Sequence, residues 1–110
     1  MKIKSFDYDL YKKISVSDLI LFCIYSIDEK NEKAEFERIV KECFELFPNS
    51  FSLLSISIWP DSRKLDRSLR ALRNNKLIEG NPKTIFSLTK SGRKIAENIA
   101  NIFRQKKLKL

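Results

Sequence analysis

The stretch that decides the fold is Trp59 to Arg93, WPDSRKLDRSLRALRNNKLIEGNPKTIFSLTKSGR. It divides into a charged helix, a short β-hairpin and the opening of a second helix. Trp59-Pro60 marks a boundary, because proline has no N–H and pushes the residue before it towards extended geometry. Asp61 stands where an N-cap belongs, able to accept from first-turn amides and to favour the positive end of the helix dipole. Leu65, Leu69 and Leu72 recur at spacings of four and three and predict one inward-facing apolar stripe. Arg63, Lys64, Arg67, Arg70 and Arg73 fall on the opposite face or its flanks, and Asp66 is spaced to pair with Arg63 or Arg70. A solvated surface is the ordinary reading of a charged helix face. The residues after Arg73 weigh against it.

Asn74-Asn75 weakens the helix, and Leu77-Ile78 and Thr84 to Leu88 are short β-prone runs on either side of Glu79-Gly80-Asn81-Pro82-Lys83. Gly80 supplies a permissive backbone and Pro82 a fixed φ for the tip, where Asn81 and Lys83 can reach a phosphate or a groove edge. Thr89 can cap a last helix. Leu88-Thr89-Lys90-Ser91-Gly92-Arg93 resembles the L-T-x-x-G-R signature that closes the wing in MarR-like and PadR-like winged-helix regulators. The resemblance spans about residues 59 to 97. It implies a mainly α winged helix-turn-helix protein with about four helices and a two-stranded wing at 77–88, probing the major groove of double-stranded DNA with helix 61–75. On that docking, Ser62, Arg63, Arg67 and Arg70 approach base edges, since arginine can pair bidentately with guanine, while Lys64, Lys83, Lys90 and Arg93 bind phosphates.

Length and charge narrow the classes. A chain of 110 residues suits one domain with a real core. Residues 1–50 carry a net charge of −2 and residues 51–110 a net charge of +10, so the basic character is segregated. A field of one sign draws a polyanion, whereas an evenly mixed surface does not. A membrane surface would answer the same charge, but no basic amphipathic helix carries the Trp/Phe/Leu face that insertion requires. The densest apolar run, Leu19 to Ile27, is too short to span a bilayer. The start, MKIKSFDYDLYKK, has no apolar core of a signal peptide, and a cytoplasmic location is expected.

The flanking elements read as scaffold. Residues 1–14 alternate like a strand at Lys2-Ile3-Lys4 but place Phe6, Leu10 and Ile14 at helical spacing, so they form an arm or a short helix. Ser15 opens a helix whose apolar positions Leu19, Ile20, Cys23, Ile24 and Ile27 keep the 3.6-residue period to about Asp28. Asn31 is the expected cap of a second helix, about Glu32 to Phe47, with Phe36, Ile39, Val40, Cys43, Phe44 and Phe47 inside and Glu35, Glu37, Arg38, Lys41, Glu42 and Glu45 outside. Pro48 bars its continuation. The link from Pro48 to Pro60 is long for a helix-turn-helix and apolar at Phe51, Leu53, Ile56, Ile58 and Trp59, so it is expected to pack under helix 61–75. In the last helix, about Lys90 to Arg104, Ile95, Ala96, Ile99, Ile102 and Phe103 form a stripe that one small domain is not expected to cover; the resemblance to winged-helix regulators, in which the helix after the wing often joins two subunits, implies a two-fold homodimer with Ile95, Ile99, Ile102 and Phe103 as its contacts. Residues 105–110, QKKLKL, form a basic tail.

Catalytic chemistry finds little support. The chain has no histidine, its carboxylates fall at caps or on outer helical faces, and its two glycines exclude both phosphate-loop patterns. Cys23 and Cys43 sit at core positions and lack the partners of a zinc site, so no metal, cofactor or small-molecule ligand is expected. Two readings from different classes remain. One is a DNA-binding transcriptional regulator; the other is a winged helix whose basic face meets an acidic protein partner, for fold alone does not assign function.

Overall fold

A computed structural model describes residues 6, 8–51, 62–80 and 83–108, with side chains for all of these but 49, 62–64 and 106–108. The elements run α1 (Tyr8–Tyr11), α2 (Val16–Glu29), α3 (Phe36–Leu46), α4 (Pro48–Phe51), α5 (Ser62–Asn74), β1 (Ile78–Glu79), β2 (Ser87–Leu88) and α6 (Lys90–Leu108). The chain is mainly helical, with one small antiparallel sheet pairing Ile78 with Leu88 and Glu79 with Ser87. The expected cap at Asp61, the Trp59 anchor with Leu53, Ile56 and Ile58, and the hairpin-tip residue Asn81 lie outside the described residues.

Helix α2 is the axis of the core. The Ser15 hydroxyl accepts from the Asp18 amide at 3.2 Å, satisfying one of the orphan donors of its first turn. Leu19, Ile20, Cys23, Ile24 and Ile27 are buried as their spacing predicts, and Leu21 joins them because α6 packs along the neighbouring face. The helix closes with Asn31 in the left-handed region at φ 59°; the Asn31 amide donates to Asp28 O and the Glu32 amide to Ile27 O, the paired bonds of a Schellman motif. Asn31 therefore ends one helix and does not cap the next.

The second core helix starts four residues later than its sequence suggests. Residues 32–35 are drawn out by the hairpin. The Phe86 amide donates to Ala34 O at 2.9 Å, and Glu35 bridges Ile85 as a one-residue third strand. Glu35 then occupies the N-cap position of α3 without a side-chain bond. At its other end α3 stops at Leu46, and Pro48 begins the single turn α4, the first helical position that proline tolerates. Phe51 within that turn is buried.

Glu42 corrects the reading of α3 as acidic only on its outside. Its side chain has no exposed surface. Ser26 Oγ donates to Glu42 Oε2 at 2.7 Å, Lys30 Nζ donates to the same oxygen at 2.8 Å, and Arg38 donates to Oε1 at 2.9 Å and to Glu32 at 2.7 Å. Burial by itself would raise the Glu42 carboxyl. The bonds from Lys30, Ser26 and Arg38 outweigh it and hold the group below the usual carboxylate range. One carboxylate thus joins the end of α2 to the middle of α3.

The stripe on α6 is covered by its own chain. Ala96, Ile99 and Phe103 are buried against α2, and Ile95 is half-buried; only Ile102, 38% exposed, faces outward. Phe6 is the reason at the C-terminal end: its ring stacks on Phe103 at 4.6 Å and on Phe47 at 5.4 Å and meets Phe22 edge-on at 5.8 Å, while its amide donates to Leu46 O. Periodicity could not show that the N-terminal segment returns over α6. Ile99 and Phe103 are core residues, so of the four expected dimer contacts the fold leaves Ile102 exposed and Ile95 half-buried.

Two outcomes are expected from this packing. Ile99→Glu should destabilise the fold by about 3 to 5 kcal/mol, as a buried charge without a partner does, which chemical denaturation would show. The lowered Glu42 carboxyl contributes stability that is present above the unfolded value of about 4.3 and is lost as pH falls through the lower folded value. The stability gap between the native chain and Glu42→Gln, followed by urea unfolding, should therefore be widest near neutrality and shrink below about pH 4. A gap independent of pH would show that the network does not need the charge.

Candidate nucleic-acid interface

Helix α5 buries Leu65, Leu69 and Leu72, each with no more than 2% exposure, against α2 and the hairpin base. By helical spacing Arg67 stands opposite this stripe, with Arg70 to one side and Arg73 further round towards the hairpin. All three are exposed. Arg70 pairs with Asp66 at 3.1 Å, one of the two partners the spacing allowed, but its side chain keeps 70% of its surface exposed, so the pair is weak and leaves the guanidinium accessible. Ser62, Arg63 and Lys64 occupy the first turn of the same helix. The expected base-reading residues thus share one element.

The way α5 hands the chain to the hairpin sets where the remaining residues lie. Lys76 takes the left-handed conformation at φ 59°, its amide donating to Arg73 O and that of Leu77 to Leu72 O. This is the same closure as at Asn31, made by a residue with no special tolerance for it. Neither Asn74 nor Asn75 takes that position. The hairpin then leaves with Ile78 buried, and returns with Phe86 buried. Gly80, at φ 113°, is needed at the turn: a Cβ there would stand 2.3 Å from Ile85 O.

Thr89 and Gly92 give the L-T-x-x-G-R sequence a local physical meaning. The Thr89 hydroxyl donates towards Lys76 O at 2.8 Å and Leu77 O at 3.0 Å and accepts from the Gly92 amide at 3.2 Å, so it caps α6 and grips the start of the hairpin together. The Thr89 amide also donates to Leu77 O. Gly92 is buried, and a Cβ on it would come within 2.0 Å of Leu77 O. Only a residue without a side chain lets α6 approach that carbonyl.

Arg93 departs from the expected set. Its guanidinium donates to Asp28 Oδ2 at 2.7 Å and lies 5.9 Å from the centre of the Tyr25 ring. The Asp28 bond raises the Arg93 pKa still further, fastening its charge to the end of α2. Asp28, Arg93 and the hairpin residues Ile85 to Leu88 line a cleft of about 260 Å³ between α2 and the hairpin. Arg93 is accordingly a tie between helices, and its side chain stays 40% exposed, so the tie competes with the expected phosphate contact without burying the charge. Lys83 near the hairpin tip and Lys90 in the first turn of α6 are both exposed.

A contact with no sequence signal joins this surface. Arg73 donates to Gly80 O at 3.0 Å, from the last turn of α5 to the hairpin turn. On the same side Leu69, Arg70, Arg73 and Phe86 line a cleft of about 340 Å³.

Among the described residues, two groups of polar and thiol side chains invite a chemical reading. Ser26 beside Glu42 is a serine next to a carboxylate, but that carboxylate is saturated by Lys30 and Arg38 and its lowered pKa makes it a poor base. Cys23 and Cys43 are both buried, and burial followed by a hydrogen bond to Cys43 pushes the Cys23 thiol well up, away from a reactive thiolate. Among the described residues no group of His, Cys, Asp and Glu could hold a metal, and no helix is long and apolar enough to cross a membrane. Comparison with protein-family models, curated proteins and solved structures finds no match to this chain.

The junction at Leu77 yields a direct test of this local architecture. Gly92→Ala should lower stability by about 1 to 3 kcal/mol, because the added methyl meets a backbone carbonyl that can move only with the hairpin. Thermal unfolding measures the loss, and an unchanged midpoint would mean that α6 and Leu77 are not held at this distance.

Proposed function

We propose that this chain binds double-stranded DNA as a winged helix, with α5 in the major groove and the hairpin as a wing on the flanking backbone. The observation that carries the reading is the outward arginine face of α5, opposite a buried leucine stripe and beside a hairpin with Lys83 near its tip. An α-helix fits the major groove, and arginines spaced along its outer side suit guanine edges and phosphates. The order of helix, hairpin and helix, with Glu35 adding a third strand at Ile85, supports the same reading. Arg67 and Arg70, with Ser62 and Arg63 in the preceding turns, are assigned to base edges. Lys64, Lys83 and Lys90 are assigned to phosphates, with Asn81 beside Lys83 in sequence. The role of transcriptional regulator belongs to the same proposal.

The pairing of Arg93 with Asp28 sets that cation against a carboxylate of the same chain. With about four to six phosphates engaged, the slope of log affinity against log salt on random duplex DNA should be roughly −4 to −5. A flat response, or no binding at low salt, would favour an acidic protein partner for the same face. Arg67→Ala should cost about 1 to 3 kcal/mol on a selected site and relax preference at one base pair, whereas Lys90→Ala should weaken all sequences alike and make the salt slope shallower by about one. Equal losses on every sequence for both variants would remove Arg67 from the base-reading set.

A further inference from the structure

Arg73 projects from the flank of α5 nearest the hairpin, and its guanidinium ends on a backbone carbonyl of this same chain. That carbonyl belongs to Gly80, whose positive φ and lack of a side chain let the turn pass close to Ile85 O. The returning strand is fastened from behind, by the Phe86 amide on Ala34 O and the Glu35 bridge to Ile85. The hairpin base is fastened by Thr89 on the Lys76 and Leu77 carbonyls. In front, between α5 and the hairpin, there is instead an open cleft lined by Leu69, Arg70, Arg73 and Phe86. Leu69 and Phe86 are buried in its wall, and the Arg73 bond adds the polar link from the end of α5 to the hairpin turn.

We propose that Arg73 is a positioning residue that ties the hairpin to α5, setting the distance at which Lys83 meets a phosphate while α5 occupies a groove. The inference rests on the DNA-binding reading and deepens it. A rigid link between two contacting elements raises affinity because the second contact is formed without first ordering the hairpin. An arginine on a basic helix face would ordinarily be assigned to phosphate directly. Here its N–H is aimed at Gly80 O, and the charge-assisted bond is well within hydrogen-bonding distance.

The test has two arms. In the DNA-free protein, Arg73→Ala should speed amide exchange across Ile78 to Gly80 by about tenfold, the scale of one charge-assisted hydrogen bond, while the amides of α2 stay protected. On random duplex DNA, Arg73→Ala should lower affinity about tenfold in the native background but less than about twofold in a Lys83→Ala background, because a tie that acts through Lys83 has nothing to position once Lys83 is gone. Additive losses, or no loss on Arg73→Ala, would overturn the proposal whatever the exchange shows. Unchanged exchange would overturn it whatever the affinities show. If the unaltered protein fails to bind DNA, the DNA reading falls and the role of Arg73 within it, whereas exchange in the free protein still reports separately whether the tie exists.

Discussion

The carbonyl of Leu77 is the point on which the second half of the chain turns. It accepts from the Thr89 amide and hydroxyl, and Gly92 lets the first turn of α6 close on it. Three elements meet there: the end of α5, the base of the hairpin and the start of α6. A carbonyl in such a part-buried junction is satisfied within the chain, and the residue that caps α6 does so while holding the base of the hairpin. Because Phe86 returns to the connector between α2 and α3, the hairpin also bears on where α3 begins. The hairpin is therefore not an appendage; its return strand holds residues 34 and 35 extended ahead of α3.

Glu42 does for the helices what Leu77 does for the hairpin. A carboxylate without exposed surface is costly to bury, and three bonds, from Ser26, Lys30 and Arg38, offset the penalty, with Glu32 holding Arg38 in place; the bonds from Ser26 and Lys30 tie α3 to the end of α2. An apolar contact would tolerate sliding between the two helices. The ionic network does not, and it lies at the end of α2 from which Asp28 reaches to Arg93. Polar ties at the end of α2 thus hold both α3 and α6, leaving the apolar residues of α2 to fill the space between.

The basic face gains definition from these ties. Of the arginines that composition alone would assign to a polyanion, Arg93 is held by Asp28, Arg73 by the Gly80 carbonyl and Arg70 loosely by Asp66, while Arg67 stands exposed opposite the leucine stripe. Net charge describes attraction at a distance, over about a Debye length of 8 to 10 Å. Which guanidinium can leave its place to meet a ligand is a matter of neighbours, and neighbours separate these residues into different roles. The proposed interface is narrower than the sequence implies and better braced.

Much of the local structure was legible because it depends on short spacings. The leucine stripe of α5, the Ser15 cap, the core positions of α2, the hairpin between Leu77 and Leu88 and the capping role of Thr89 all derive from side-chain period, capping chemistry or turn residues within a few positions. What periodicity could not supply was anything joining residues far apart in the chain. Phe6 covering Phe103, Glu42 buried beneath Ser26 and Lys30, Ala34 and Glu35 taken by the hairpin before α3 can start, and Arg93 paired with Asp28 each reverse or shift an expectation drawn from one helix alone. The amphipathic period of a helix shows which residues face away from solvent only if nothing else packs on it. By itself the sequence determined the four longer helices, the hairpin and their apolar stripes; the tertiary structure decided where α3 begins and which charges are paired within the fold, because desolvation and pairing depend on neighbours that folding brings together from distant parts of the chain.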